Sequence, residues 1–244
     1  MPNEKAAIVT GASRGIGAAV AKRLAADGFS VVVNYAGNEQ AAAEVVADIQ
    51  ANGGHAIAAK ADVSQPDQVA RLFDRAEQTC GEVAVLVNSA GVMQLASVAE
   101  SDDALFDRIV AINFKGTFNT LREAARRMRD GGRIVNVSTS VVGTKMPTYS
   151  VYAATKSAVE TMTAILSKEL RGRSITVNAV APGPTATALF LDGKSDELVE
   201  KLANMSPLER LAQPEDIANT VSFLAGPDGG WINGQTLRAN GGLV

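Results

Sequence analysis

The stretch AAIVTGASRGIGAAVAKRLAADG, residues 6–28, decides the fold. A short apolar run suited to a buried strand leads straight into a turn with glycines at 11, 15 and 17, and an alanine-rich continuation has apolar residues at helical spacing. Glycines in such a turn permit a tight bend, close backbone approach to a ligand, and tight packing of helix on strand. The helix amino terminus faces the turn, where its unpaired N–H groups favour negative charge. Glycine-rich turns also occur without a nucleotide; the strand before, the helix after and the position at the first crossover favour a pyrophosphate.

Working outward, short apolar runs recur at 6–10, 30–34, 55–60, 83–88, 133–138, 175–180 and 235–239. They are rich in Val and Ile without clean alternation, as in strands covered on both faces, and helices in the connections make neighbouring strands parallel. The expected class is α/β: a single domain over residues 1–244 with a Rossmann fold, a doubly wound seven-stranded parallel sheet with helices on both faces. Ser64, followed by Pro66 and Asp67, reads as a capped helix start, and Pro214-Glu215-Asp216 opens another helix in the same way. Residues 184–213 hold only short amphipathic pieces after a proline- and glycine-rich turn. They are expected to cover the carboxyl ends of the strands as a substrate lid.

The 244 residues include one histidine, His55, and one cysteine, Cys80, which excludes an intrachain disulfide and a Cys/His zinc cluster. No metal is expected, both residues read as structural, and catalysis must rest on hydroxyls, carboxylates, amines, backbone or a bound cofactor. Scattered charge, 23 basic against 26 acidic residues, gives no nucleic-acid footprint. The longest uncharged stretch, Ser174 to Leu191, contains Asn178, Pro182, Gly183 and Pro184 and makes a poor membrane span. The amino terminus has neither cationic leader nor apolar signal core, so a soluble, cytoplasmic chain is expected.

An NAD-binding unit usually places an acid at the end of its second strand for the adenosine ribose, but Val33-Asn34-Tyr35-Ala36-Gly37-Asn38 has none. Arg14, unless merely a solvated loop residue, is placed to pair with a 2′-phosphate in that corner. One charge-assisted bond contributes about 1.5–3 kcal/mol, roughly 10- to 150-fold in favour of NADPH over NADH. Asp62-Val63 and Asn88-Ser89-Ala90-Gly91 end the third and fourth strands beside the same crevice. An adenine contact and a passage for the cofactor compete there with a helix cap by Asp62 and a turn bond by Asn88.

In Tyr152-Ala153-Ala154-Thr155-Lys156 a phenol and an ammonium stand four residues apart on one helix face. The cation, with a cationic nicotinamide, would lower the phenol pKa from ~10 toward a useful acid or base; a surface pair is the plainer alternative. Upstream, Ser138, Thr139 and Ser140 compete to donate a hydroxyl to a substrate carbonyl oxygen. Val92, Met93, Gln94, Val142, Met146, Tyr149 and the lid residues Ala188, Leu189 and Phe190 are candidates for an apolar substrate pocket.

Taken in order, TGASRGIG, DV, NSAG, AINFKGTF, STSVVG, YAATK, PGPTAT and GQTLRANGG resemble the motif blocks of the short-chain dehydrogenase/reductase family over essentially the whole chain, closest to the 3-oxoacyl-acyl-carrier-protein reductases and related carbonyl reductases. The resemblance implies an NADPH-dependent reduction of a ketone to a secondary alcohol. Tyr152 would be the proton donor, with Lys156 on the nicotinamide ribose, Ser140 on the carbonyl and Asn113 holding a relay water. The match to SVVG favours Ser140, although its interval to Tyr152 is one residue shorter than in many members. Gly11, Ser13, Arg14, Gly15, Ile16, Gly17, Asn34, Tyr35, Asp62, Val63, Asn88, Ser89, Ala90, Gly91, Tyr152, Lys156, Pro182, Gly183, Thr185 and Thr187 are the implied cofactor contacts. Ser89 replaces a second asparagine, and Pro184 lacks an amide donor. The resemblance also implies a homotetramer and admits an acyl carrier protein as partner. An NAD-linked dehydrogenase of a sugar or secondary alcohol, and a non-catalytic NADPH sensor, are the competing readings. On the helix at 150–172, Val151, Ala158, Met162, Ile165 and Leu166 are the expected core stripe, with Ala153, Ser157, Thr161 and Ala164 as a small-residue face.

Overall fold

A computed structural model describes residues 5–244; residues 1–4 of the expected domain, with the start of the amino-terminal reading, lie outside the described residues. Strands β1 (Lys5–Thr10), β2 (Ser30–Tyr35), β3 (His55–Lys60), β4 (Glu82–Asn88), β5 (Arg133–Val137), β6 (Thr176–Pro182) and β7 (Thr236–Ala239) form one sheet in the order β3-β2-β1-β4-β5-β6-β7. Every pairing is parallel.

Successive strand side chains point to opposite faces, and here both faces are buried. Ala7 and Val9 of β1 join Val31, Val33, Val85, Val87 and Val135 beneath α1 (Gly15–Ala26), α2 (Glu39–Ala51) and α10 (Pro214–Ala225). Ala6 and Ile8 point the other way and join Val32, Leu86, Ile134 and Val177 beneath α3 (Pro66–Cys80), α5 (Thr117–Arg127) and α7 (Ser150–Glu169). The strands therefore read as continuous apolar runs. Phe73 and Cys80 sit fully inside the second core, while His55 is exposed at the start of β3, as a structural cysteine and a non-catalytic histidine require.

Two helix details depart from expectation. Ser64 does not cap α3: Gln65 holds the cap position without a side-chain bond, Pro66 occupies the first turn, and Asp62 accepts from the Ser64 amide at 2.9 Å. The buried stripe of α7 runs through Thr155, Lys156, Val159, Thr163 and Leu166, whereas Ile165 is 50% exposed. Hydropathy alone places the stripe elsewhere, but the inward face carries the polar site residues.

The sheet order reverses between β1 and β4, whose last residues Thr10 and Asn88 are paired, and this opens a crevice above the strand ends. The excursion after β6 carries α8 (Ala188–Leu191) and α9 (Asp196–Ala203). Its base is closed by a parallel bridge between Thr185 and Ala212, in which Ala186 donates to the Ala212 carbonyl and Ala212 to the Pro184 carbonyl. Pro184 thus contributes an acceptor where it lacks a donor.

Candidate active site

A cavity of about 670 Å³ fills the crevice and runs from the β2 end past the glycine turn to the lid. Its floor is built by the turn after β1. Gly11 has φ +63°, and a Cβ there would stand 2.7 Å from the Ala90 Cα; a Cβ on Gly17 would stand 2.4 Å from the Gly11 carbonyl oxygen. Only glycine lets the two loops and the helix meet this closely, leaving the α1 amino terminus open to the cavity. Thr10 completes the floor by accepting from the Ser89 and Ala90 amides, each at 3.1 Å. Sequence reasoning does not assign Thr10 this role, although the Thr of TGASRGIG signals it.

Ser13, Arg14, Gly15, Ile16, Tyr35, Asp62, Val63, Ser89, Ala90, Gly91, Pro182, Gly183, Thr185 and Thr187 all line this cavity, as expected. Ala36, Gly37 and Asn38 at the α2 amino terminus join them, beyond the residues expected from sequence. Arg14 is exposed, caps α1 with extended backbone, and has no ion-pair partner among the described residues. None of the cavity-lining residues at the β2 end, Asn34 to Asn38, is acidic, and the nearby Glu39 is not among the lining residues. Asn34 reaches the cavity wall, but its side chain is committed elsewhere: Oδ1 accepts from the Gly11 amide, and Nδ2 donates to the Ala59 and Ala61 carbonyls at 3.2 and 3.0 Å. Burial, and after it the charge and hydrogen bond of Glu39, push the Tyr35 phenol above its ordinary value.

Asn88 does not line the cavity. It is 4% exposed, donates to Asn136 at 2.9 Å and accepts from Thr120 at 2.7 Å, while Asn136 donates to Thr163. This buried chain ties β4 and β5 to α5 and α7, so Asn88 is a structural residue. Asn113 is fully buried in a π-helical stretch, Val110–Gly116, between α4 (Asp103–Ile109) and α5. Its amide clasps the backbone of Val92, accepting from N at 2.8 Å and donating to O at 2.9 Å. That bond pair fixes the loop beside the reacting groups.

Lys156 and Tyr152 project from α7 into the cavity. The Lys156 ammonium donates to the Val137 carbonyl at 2.7 Å and lies 5.9 Å from the Tyr152 ring centroid. Burial lowers Lys156 to about 8 and pushes the Tyr152 phenol up to about 12. Desolvation is the largest influence on the phenol and Tyr149 adds to it, so the Thr139 hydroxyl lowers it only in part.

The three hydroxyls separate cleanly. Ser138 donates to Glu160 at 2.6 Å. Ser140 donates to the Ala181 carbonyl at 3.2 Å and accepts from Asn240 at 2.9 Å. Thr139 hydrogen-bonds Tyr152, in the sense that lowers the phenol pKa against burial. All three residues line the cavity, and Thr139 is the one whose hydroxyl acts on the phenol. Counting from Thr139 also restores the residue that is missing from the Ser140–Tyr152 interval. At the far end Val141 lines the cavity in place of Val142, Gln94 lies outside it, and Met93, Met146, Tyr149, Phe190, Met205 and Leu243 make an apolar substrate end.

A family model described as enoyl-(acyl carrier protein) reductase matches residues 11–244. A short-chain type dehydrogenase/reductase of Picea abies is 48% identical, over 98% of this chain and 92% of its own. An NADPH-dependent aldehyde reductase-like chloroplastic protein of Arabidopsis thaliana is 45% identical, over 98% and 94%. The structure of an angucycline C-6 ketoreductase with bound NADP superposes with a TM-score of 0.92 at 39% identity, over 99% and 97%. With the glycine turn, the Tyr152/Lys156 pair and matches of this extent, the chain belongs to the short-chain dehydrogenase/reductase family of oxidoreductases.

Proposed function

We propose that this enzyme uses NADPH to reduce a ketone or aldehyde to an alcohol. The observation that carries the reading is Tyr152 with the Lys156 ammonium 5.9 Å from its ring, facing Thr139 and Ser140 across a cavity that begins at the glycine turn. The cofactor, when bound, supplies the hydride that attacks the carbonyl carbon. Residues 11–17 would hold its pyrophosphate, Arg14 with Ala36–Asn38 would hold the 2′-phosphate, and Asp62 and Val63 would flank the adenine. Tyr152 gives its proton to the carbonyl oxygen, and Thr139 donates a hydrogen bond to the same atom as charge grows on it. Lys156 stabilises the phenolate as it forms, and Asn113 keeps the Gly91–Val92 loop in place. The enoyl description of the family model is less favoured, because the donors converge where a carbonyl oxygen would sit.

The apolar substrate end favours uncharged, bulky carbonyl compounds, and no basic cluster there selects an acyl carrier protein. A second copy of the chain is the proposed partner of the face carrying Phe106, Phe114, Phe118 and Ile165, each at least 38% exposed. No helix of the described residues is long and apolar enough to cross a membrane. The test follows NADPH and NADH oxidation with benzaldehyde, α-tetralone and acetoacetyl-coenzyme A. Turnover of a carbonyl with NADPH preferred and abolished by Tyr152→Phe is expected; a full rate in Tyr152→Phe would sink the mechanism. Tighter NADH than NADPH binding would restore the NAD-linked reading, and tight NADPH binding without turnover the sensor.

A further inference from the structure

Asn240 follows β7 and is 6% exposed, yet it does not line the cavity. Its amide is fully used: Nδ2 donates to Ser140 Oγ at 2.9 Å and to the Val244 carbonyl at 3.4 Å, and Oδ1 accepts from the Gly242 amide at 3.1 Å. Ser140 in turn donates through its hydroxyl to the Ala181 carbonyl and through its backbone amide to the Pro182 carbonyl at 2.9 Å. The residue after β5 that carries the catalytic hydroxyl, Thr139, is thereby braced from its carboxyl side by one buried amide.

The same tail reaches the lid. Ser206 donates to the Gly241 carbonyl at 2.8 Å and accepts from the Leu208 amide at 3.3 Å. Gly241 has φ +64°, and a Cβ there would stand 2.2 Å from Ser206 Oγ. Beyond it, Val244 packs against Gly143, and Leu243 lines the substrate end. Residues 240–244 therefore span the two walls of the substrate mouth, the lid base at Ser206–Leu208 and the turn at Ser140–Gly143.

We propose that Asn240 is a positioning residue for carbonyl reduction, holding the turn at Ser140 so that the Thr139 hydroxyl stays on the cavity wall facing Tyr152 and the lid base stays in register with it. The inference rests on the reading of Thr139 as the carbonyl-facing hydroxyl. Asn240 touches neither cofactor nor substrate, so its effect belongs in kcat and in the titration of Tyr152. NADPH binding should not respond.

The experiment compares Asn240→Ala, Ser140→Ala, the double variant and Thr139→Ala in the full chain. Each is measured by steady-state reduction of whichever of benzaldehyde and α-tetralone turns over faster, across pH, with NADPH affinity by fluorescence titration. Asn240→Ala and Ser140→Ala should each lower kcat roughly five- to thirtyfold, the span of one lost buried hydrogen bond. NADPH affinity should stay within about threefold, as no cofactor contact is touched. The alkaline limb of the kcat/KM profile should move to higher pH, because in the free enzyme the phenol loses the Thr139 hydroxyl that lowers its pKa. The double variant should be no worse than the poorer single one, since both break the same brace. Multiplicative losses, or an unchanged kcat and pH profile in Asn240→Ala beside an impaired Thr139→Ala, overturn the proposal. An unimpaired Thr139→Ala removes the underlying hydroxyl reading instead. Ser140→Ala deletes only a hydroxyl and tests the same brace should Asn240→Ala fold poorly.

Discussion

Replacing Lys156 by Met should make the cofactor-free enzyme more stable while destroying turnover. Lys156 is 5% exposed, and burial lowers its pKa from 10.5 to about 8. Holding a cation there costs about 3 kcal/mol of native stability at neutral pH. Methionine fills a similar volume without the charge but strands the Val137 carbonyl that Lys156 serves, which returns about 1–2 kcal/mol. The net gain is about 1–2 kcal/mol, or a rise of about 2–8 °C in Tm for a chain of this size. Its pH dependence has a definite sign. Between the native and unfolded pKa values the unfolded lysine binds more protons than the native one, so wild-type stability rises with pH over that window. The variant's advantage is therefore full below the native pKa and turns into a deficit of about 1–2 kcal/mol above the unfolded one, where only the stranded Val137 carbonyl remains. Urea denaturation without cofactor, on both sides of the window, measures it. A variant less stable at neutral pH, or an advantage that does not fade at alkaline pH, would refute the reasoning.

Arg14→Ala should weaken NADPH binding roughly 10- to 150-fold and leave NADH nearly unchanged, since only the 2′-phosphate uses the guanidinium; fluorescence titration with both cofactors decides it, and equal losses would exclude Arg14 from selectivity. Thr139→Ala should cost about 10²–10³ in kcat, as for a lost donor to a developing oxyanion. Thr139→Ser should recover most of that in the same NADPH-oxidation assay; a larger loss in Ser138→Ala would reassign the hydroxyl. Asn88→Ala leaves Thr120 and Asn136 short of partners in a buried network and should lower unfolding free energy by about 2–4 kcal/mol in urea titration. His55→Ala should keep turnover, because His55 is exposed at the start of β3, the amino end of the strand, and the cavity lies beyond the carboxyl ends.

The strands are legible in the sequence because their apolar character belongs to both faces of the sheet and needs no knowledge of the partner. The glycine turn is legible because Gly11 and Gly17 stand where any side chain would collide with Ala90 or Gly11 itself. The choice among Ser138, Thr139 and Ser140 is not. Successive side chains at a strand end diverge, so three adjacent hydroxyls reach Glu160, Tyr152 and Ala181. A motif match can slip by one residue without changing composition, so pattern alone leaves Thr139 and Ser140 competing. The side chains of Asn34 and Asn88 are committed to the scaffold for a related reason. Each ends a strand beside the crevice, but a buried amide first satisfies its own donors and acceptors, and both find them in the scaffold.

The resting electrostatics of the site also bear on direction. Burial drives Tyr152 and Lys156 each toward its neutral form, raising the phenol and lowering the ammonium. A phenol held protonated through the neutral range carries the proton that carbonyl reduction needs, but its raised pKa makes it a weaker donor until positive charge lies beside it. Alcohol oxidation by the same residues would first have to remove that proton from a desolvated phenol. A positive charge on an oxidised cofactor favours that loss, and so does a protonated Lys156. The pair therefore does not make a strong base by itself. Its protonation state depends on the charge bound beside it, and with a neutral reduced cofactor the phenol remains an acid for the whole approach of the carbonyl.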